Sequence, residues 1–225
     1  MKVEELLRQL QSAGPLTSRD AVQQYIHSLL PDVPGRTRAY GLECDNTQTL
    51  AFVADALPAI IRVLRGYPRD REVTLLDIGP GFGGAAGLLS EMFCSPFLWA
   101  KVKVDALDIR DIRKDFMTFR YPLVNFMVGD IADQPVSRKW DIVYCSNVIE
   151  HTKNPATYLR DTMARVHPTG AAVFLAPYRD GPNEVHPSLI DEGTFAGWNV
   201  VESTLIHDSL GWPGRTQILA VIKHR

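Results

Sequence analysis

LLDIGPGFGG, residues 75–84, is the stretch on which the fold of this chain turns. Leu75, Leu76 and Ile78 are apolar in near succession, as in a central parallel strand covered on both faces. Gly79, Gly81 and Gly83 follow at alternate positions, with Gly84 next. Glycine reaches backbone angles closed to other residues and lets a ligand approach the main chain. Ala85, Ala86 and Gly87 then open a helix that can pack tightly on the strand. Its free N–H groups and positive dipole end face the turn. This strand–turn–helix unit predicts a nucleotide-type cofactor site, with Asp77 two residues ahead of the first glycine. Gly79, Gly81 and Gly84 also spell the dinucleotide pattern G-x-G-x-x-G. A nicotinamide-dependent oxidoreductase is therefore an alternative at this point.

Outward from that turn the chain divides in two. Residues 1–70 read as a helical extension or lid, with helices over 2–12, 18–30 and 47–65 around a polar stretch at 31–46. The third carries an apolar stripe of Leu50, Val53, Leu57, Ile60, Ile61 and Leu64. From 71 to 225 strands and helices alternate. The pattern predicts strands at 73–78, 102–108, 124–128, 140–146 and 171–176, with helices at 83–93, 111–118 and 155–166. Such alternation implies an α/β fold, a parallel sheet with helices on both faces. Two further strands, 198–206 and 216–223, are joined by the turn-rich SLGWPGR. So short a link favours antiparallel pairing.

Composition excludes several function classes. With 45% apolar and 22% charged residues, 225 residues are enough for a full globular core. A net charge of −2 gives no broad basic field, so nucleic acid is not an expected partner. No apolar run spans a bilayer and the N-terminus is charged, so the expectation is a cytoplasmic protein without membrane contact. Cys44, Cys94 and Cys145 are odd in number and far apart, with neither metal nor disulfide spacing.

Four segments taken together resemble the class I S-adenosylmethionine-dependent methyltransferases. In particular, the chain is similar to the small-molecule group with Val-x-Glu-His after the fourth strand. They are Asp77–Gly83 as D-x-G-x-G-x-G, Asp108 in VDALDI, GDIAD at 129–133, and WDIVYCSNVIEH at 140–151. The resemblance covers about residues 70–223. It implies a three-layer Rossmann-like sheet of seven strands, order 3-2-1-4-5-7-6, with strand 7 antiparallel. It also implies S-adenosyl-L-methionine as cofactor and S-adenosyl-L-homocysteine as product. Gly79, Gly81 and Gly83 would wrap the methionine part, and Asp77 would anchor its amino group. A carboxylate there suits an ammonium and a sulfonium, and suits a pyrophosphate poorly. Asp108 would accept from both ribose hydroxyls, with Ile109 against one adenine face. Asp130 would accept from the adenine amino group beside the Ile131 N–H, although a loop Asp can equally cap a turn. Asn147 would meet the methionine part and the transferred methyl.

The implied reaction is methyl transfer to a small molecule or sugar-containing metabolite, at oxygen in the first instance. N- or C-methylation and a catalytically silent cofactor-binding protein are the alternatives. A hydroxyl acceptor must lose its proton, and histidine is the usual base near neutral pH. His151, beyond the fourth strand, and His186, in the loop after the fifth, are the two candidates. Tyr40 and Tyr178 are candidate acceptor contacts; Phe195 and Trp212 read as core or lid. No resident metal is expected, although Asp180, His186, Asp191 and Glu192 could gather a cation. The oligomeric state, monomer or homodimer, is not legible.

Overall fold

The protein is represented by a computed structural model that describes residues 46–81, 83–93, 101–111, 117–118, 120–210, 212 and 214–225. The helices expected over 2–12 and 18–30, Tyr40, Cys44, Cys94 and most of the helix expected at 111–118 lie outside the described residues.

Among the described residues the principal elements are α1 (Asn46–Leu64), β1 (Glu72–Ile78), α2 (Gly84–Phe93), β2 (Lys101–Asp108), β3 (Val124–Val128), β4 (Trp140–Ser146), α3 (Pro155–Met163), β5 (Val166–Pro177), β6 (Asn199–Ile206) and β7 (Gln217–Lys223). The strands form one sheet in the order β3-β2-β1-β4-β5-β7-β6. The first five run parallel, and β7 is antiparallel to both β5 and β6. Fold class, strand order and the reversed last strand all follow the sequence expectation.

Alternation along β1 shows how the layers are built. Val73 and Leu75 face the layer of α1 and α2, while Leu76 and Ile78 face the opposite core with Leu159, Met163 and Phe195. Both faces are covered, so the strand is apolar throughout, as a central parallel strand must be. Helix α1 turns Phe52, Val53, Ala56, Ile60 and Val63 inward, at the spacing of one helical face. Cys145 is fully buried in the second layer and acts there as a small apolar residue. Phe195 is core and stacks near Phe174, with 5.9 Å between ring centroids.

Two neighbouring elements, α3 and β5, depart from the sequence expectation. Helix α3 stops at Met163, not at 166, and Val166 already pairs with Trp140 as the start of β5. Its start is as expected: Asn154 caps it, accepting from the Thr157 N–H, with Pro155 first in the helix. Its end is pinned by Arg165, whose guanidinium donates to the carbonyls of Ala132, Gln134 and Asp161. The HPTG stretch, 167–170, bulges out of β5 instead of ending the helix, because Ile142, two residues beyond Trp140, pairs with Ala171. Gly170 permits the return: a Cβ there would lie 2.4 Å from the Asp141 carbonyl oxygen.

Candidate active site

The parallel strands end on one edge, and the main chain carries the sheet one hydrogen bond further before each loop turns away. The Gly79 N–H donates to Leu107 O (2.9 Å), the Gly129 N–H to Asp108 O (2.9 Å) and the Asn147 N–H to Leu175 O (2.8 Å). Asp77, Asp108, Asp130 and Asn147 are thereby collected at the carboxyl ends of β1 to β4, the place where open α/β sheets bind ligands.

Gly79, Gly81 and Gly83 have φ of 67°, 58° and 83°, so each needs the freedom that only glycine has cheaply. A Cβ on Gly79 would fall 2.4 Å from a Val148 methyl, so the β1 and β4 loops touch here. Asp77, just before the turn, is 2% exposed and shares a face with Leu75. Its Oδ2 has no hydrogen-bond partner among the described residues. Burial pushes its carboxyl up to about 8; the Ala86 N–H at the start of α2 opposes the rise and the Asp108 charge adds to it. A buried carboxyl with an open oxygen, at the head of a glycine cradle, fits a cationic ligand group. Asn147 fits the same description from β4. It holds φ of 52°, donates to Ser146 Oγ at 2.9 Å, and buries an unpartnered Oδ1. Asparagine is among the few residues that tolerate this conformation, and such strain clusters at ligand sites.

Asp108 is buried, and its Oδ1 accepts from the Arg110 N–H at 3.0 Å. Beside it Ile109 is 68% exposed, an apolar side chain held at the surface where a flat ring could cover it. Asp130 caps the short turn Ile131–Asp133 through the Ala132 N–H, and the Ile131 side chain is buried. The capping role foreseen for Asp130 is thus realised in the structure.

The two histidines meet. Their ring centroids are 5.0 Å apart, although 35 positions separate them in the chain. A turn in the β5–β6 loop places both. Asn183 Oδ1 accepts from the N–H groups of Val185 (2.9 Å) and His186 (2.8 Å). The Val185 carbonyl is then 2.9 Å from His151 Nδ1. Ser188 stitches the same loop to the β4 loop, through its N–H to Glu150 O and its hydroxyl to Thr152 O. His186 is buried, with Nδ1 3.2 Å from Asp180 O, and Asp180 is salt-bridged to Arg215. Trp212 closes the far side, edge-on to His186 at 5.8 Å and to Phe52 at 6.5 Å.

Glu150 was not singled out as a site residue by sequence. It is 1% exposed, with a carboxyl oxygen within 4.8 Å of a ring nitrogen of each histidine, and burial pushes its carboxyl up to about 8. Its place in Val-x-Glu-His was the available signal. Tyr178 stands apart from this cluster in its hydrogen bonding: its hydroxyl donates to the Glu192 carboxylate at 2.9 and 3.0 Å.

A family model described as a methyltransferase domain matches residues 44–207. Among curated proteins, a non-reducing polyketide synthase, atr1, of Stereocaulon alpinum is 27% identical over 126 residues, covering 51% of this chain and 5% of that protein. The chain thus corresponds to about a twentieth of that relative's length. Two solved structures share the fold. The N-methyltransferase NodS of Bradyrhizobium japonicum WM9, in complex with S-adenosyl-L-homocysteine, superposes with a TM-score of 0.58 at 14% identity, over 77% of this chain and 87% of that one. The CurJ carbon methyltransferase does so with a TM-score of 0.60 at 15% identity, over 95% of this chain and 61% of that one. The dinucleotide reading of the glycine turn falls away. With the carboxylate-headed glycine cradle, the strand order and the family match together, the chain belongs to the methyltransferase-domain family and has the class I fold of S-adenosylmethionine-dependent methyltransferases.

Proposed function

We propose that this protein methylates a hydroxyl oxygen of a small-molecule acceptor, with His151 or His186 as general base. The observation that carries the proposal is the meeting of the two imidazoles at the carboxyl ends of β4 and β5, beside the loop of Asn147. The cofactor supplies an already activated methyl group, so the protein's work is alignment and proton removal. Asp77, Gly79, Gly81, Gly83 and Asn147 would hold its methionine part, and Asp108, Ile109, Asp130 and Ile131 its nucleoside. At either ring, Nδ1 lies against a main-chain carbonyl. A carbonyl only accepts, so Nδ1 carries the proton and Nε2 the lone pair a base needs. Tyr40 and Tyr178 are proposed acceptor contacts.

Carbon methylation is the second reading, favoured by the names of the polyketide synthase and CurJ relatives. Product analysis with an isotopically labelled methyl donor and a panel of hydroxylated and β-keto acceptors separates the two. For the oxygen reading, His151→Ala or His186→Ala lowers kcat by about 10²–10⁴-fold with the affinity for S-adenosylhomocysteine unchanged. Full turnover in both variants removes the histidine base. Binding of S-adenosylhomocysteine with no turnover on any acceptor would leave a catalytically silent protein.

A further inference from the structure

We propose that Glu150, His151 and His186 form a binding site for a divalent transition cation of the zinc class. One ligand atom from each lies within 4.8 Å of the others. The pair Glu150 Oε1 and His151 Nε2 is 3.9 Å apart, too far for a hydrogen bond. Neither Glu150 carboxylate oxygen has a hydrogen-bond partner among the described residues, and both are buried. A buried carboxyl with two open oxygens lacks partners, and a cation among these groups supplies one.

The surroundings of the rings fit the same assignment. Metal-bound histidines donate their other ring N–H to a carbonyl or carboxylate, which fixes the tautomer and aims the ligand nitrogen. His151 Nδ1 meets the Val185 carbonyl at 2.9 Å. His186 Nδ1 meets the Asp180 carbonyl at 3.2 Å and the Asp180 carboxylate at 3.4 Å, and Arg215 holds that carboxylate in place. In the proposed site Nε2 of each ring is the ligand atom. Two imidazoles and a carboxylate suit zinc, and three protein ligands leave a fourth position for a water or acceptor oxygen. Zinc bonds of about 2.1 Å place tetrahedral ligands about 3.4 Å apart, so the cluster must tighten by about an ångström. The partly exposed ring of His151 can supply that movement.

This assignment goes beyond O-methylation and does not depend on it. It does bear on it: a ring nitrogen bound to zinc is a ligand and no longer a base. The test is calorimetric titration of the full chain with zinc chloride, and separately with S-adenosylhomocysteine, for the wild type, Glu150→Gln and His151→Gln. The expected result is one zinc per chain in the wild type, bound at least tenfold more weakly by both variants, with S-adenosylhomocysteine affinity retained. His151→Gln replaces a partly exposed side chain, so it decides alone if the buried Glu150 substitution prevents folding. No stoichiometric zinc binding by the wild type, or undiminished binding by His151→Gln, overturns the site. Zinc binding without S-adenosylhomocysteine binding would instead overturn the cofactor assignments and leave the metal site standing.

Discussion

Asp77 shows how one residue can be legible in kind and illegible in state. Its place ahead of the glycines follows from the sequence; its proton does not. Unfolded, it titrates near the ordinary 3.8, and folded near 8. The folded form therefore binds the proton more tightly, and stability falls as pH rises from about 4 to about 8. A tenfold difference in proton affinity corresponds to about 1.4 kcal/mol. Asp77→Asn should raise the melting temperature of the ligand-free protein at pH 8 while weakening S-adenosylhomocysteine binding at least tenfold. The ligand's ammonium favours the ionised carboxyl, so binding near pH 7 should release close to one proton. Calorimetry in buffers of different ionisation enthalpy reads this directly, and the absence of proton release would remove Asp77 from the ammonium site. Asp108→Ala should also weaken that binding at least tenfold, about 1.4 kcal/mol; an unchanged dissociation constant removes it from the ribose site.

At the scale of elements, close approach sets the tolerances. Helix α2 lies so near Tyr121 that a Cβ on Gly87 would fall 2.2 Å from two of its ring carbons. An aromatic ring there cannot yield by rotating a flexible tip. Gly87→Ala should cost about 1–3 kcal/mol, read as a lower midpoint in urea unfolding; an unchanged midpoint would mean the ring has free space. Every strand was visible in the sequence pattern, and β1, β4, β5 and β7 most plainly, because they bury near-continuous apolar runs. The early end of α3 was not. It depends on Arg165 reaching carbonyls some 30 residues upstream and on Val166 finding Trp140, neither of which shows in the local pattern.

Across the whole molecule, stability and chemistry sit at opposite ends of the sheet. At the amino ends, Asp141 accepts from the Thr74 N–H (2.9 Å), from the Thr74 hydroxyl (3.1 Å) and from Arg71, while the Tyr67 hydroxyl donates to its carbonyl (3.2 Å). The carboxylate is nearly buried, so truncation strands its donors. Asp141→Ala should destabilise by about 1–3 kcal/mol in thermal unfolding, with S-adenosylhomocysteine affinity unchanged; a matching loss of affinity would mean the two ends are coupled. No helix among the described residues is long and apolar enough to cross a membrane.

The α/β alternation, the glycine cradle and the acidic strand ends were determined by the sequence itself, because each lies within a few residues of the strand that presents it; the strand order came from the family resemblance. Local spacing is enough to place such groups at the edge of a parallel sheet. The convergence of Glu150, His151 and His186 was decided only by tertiary structure. Two loops, after β4 and β5, had to be stitched together by Asn183 and Ser188 before those side chains could meet. The protonation of Asp77 and Glu150 was decided there too, since burial belongs to the packed molecule and to no stretch of the chain.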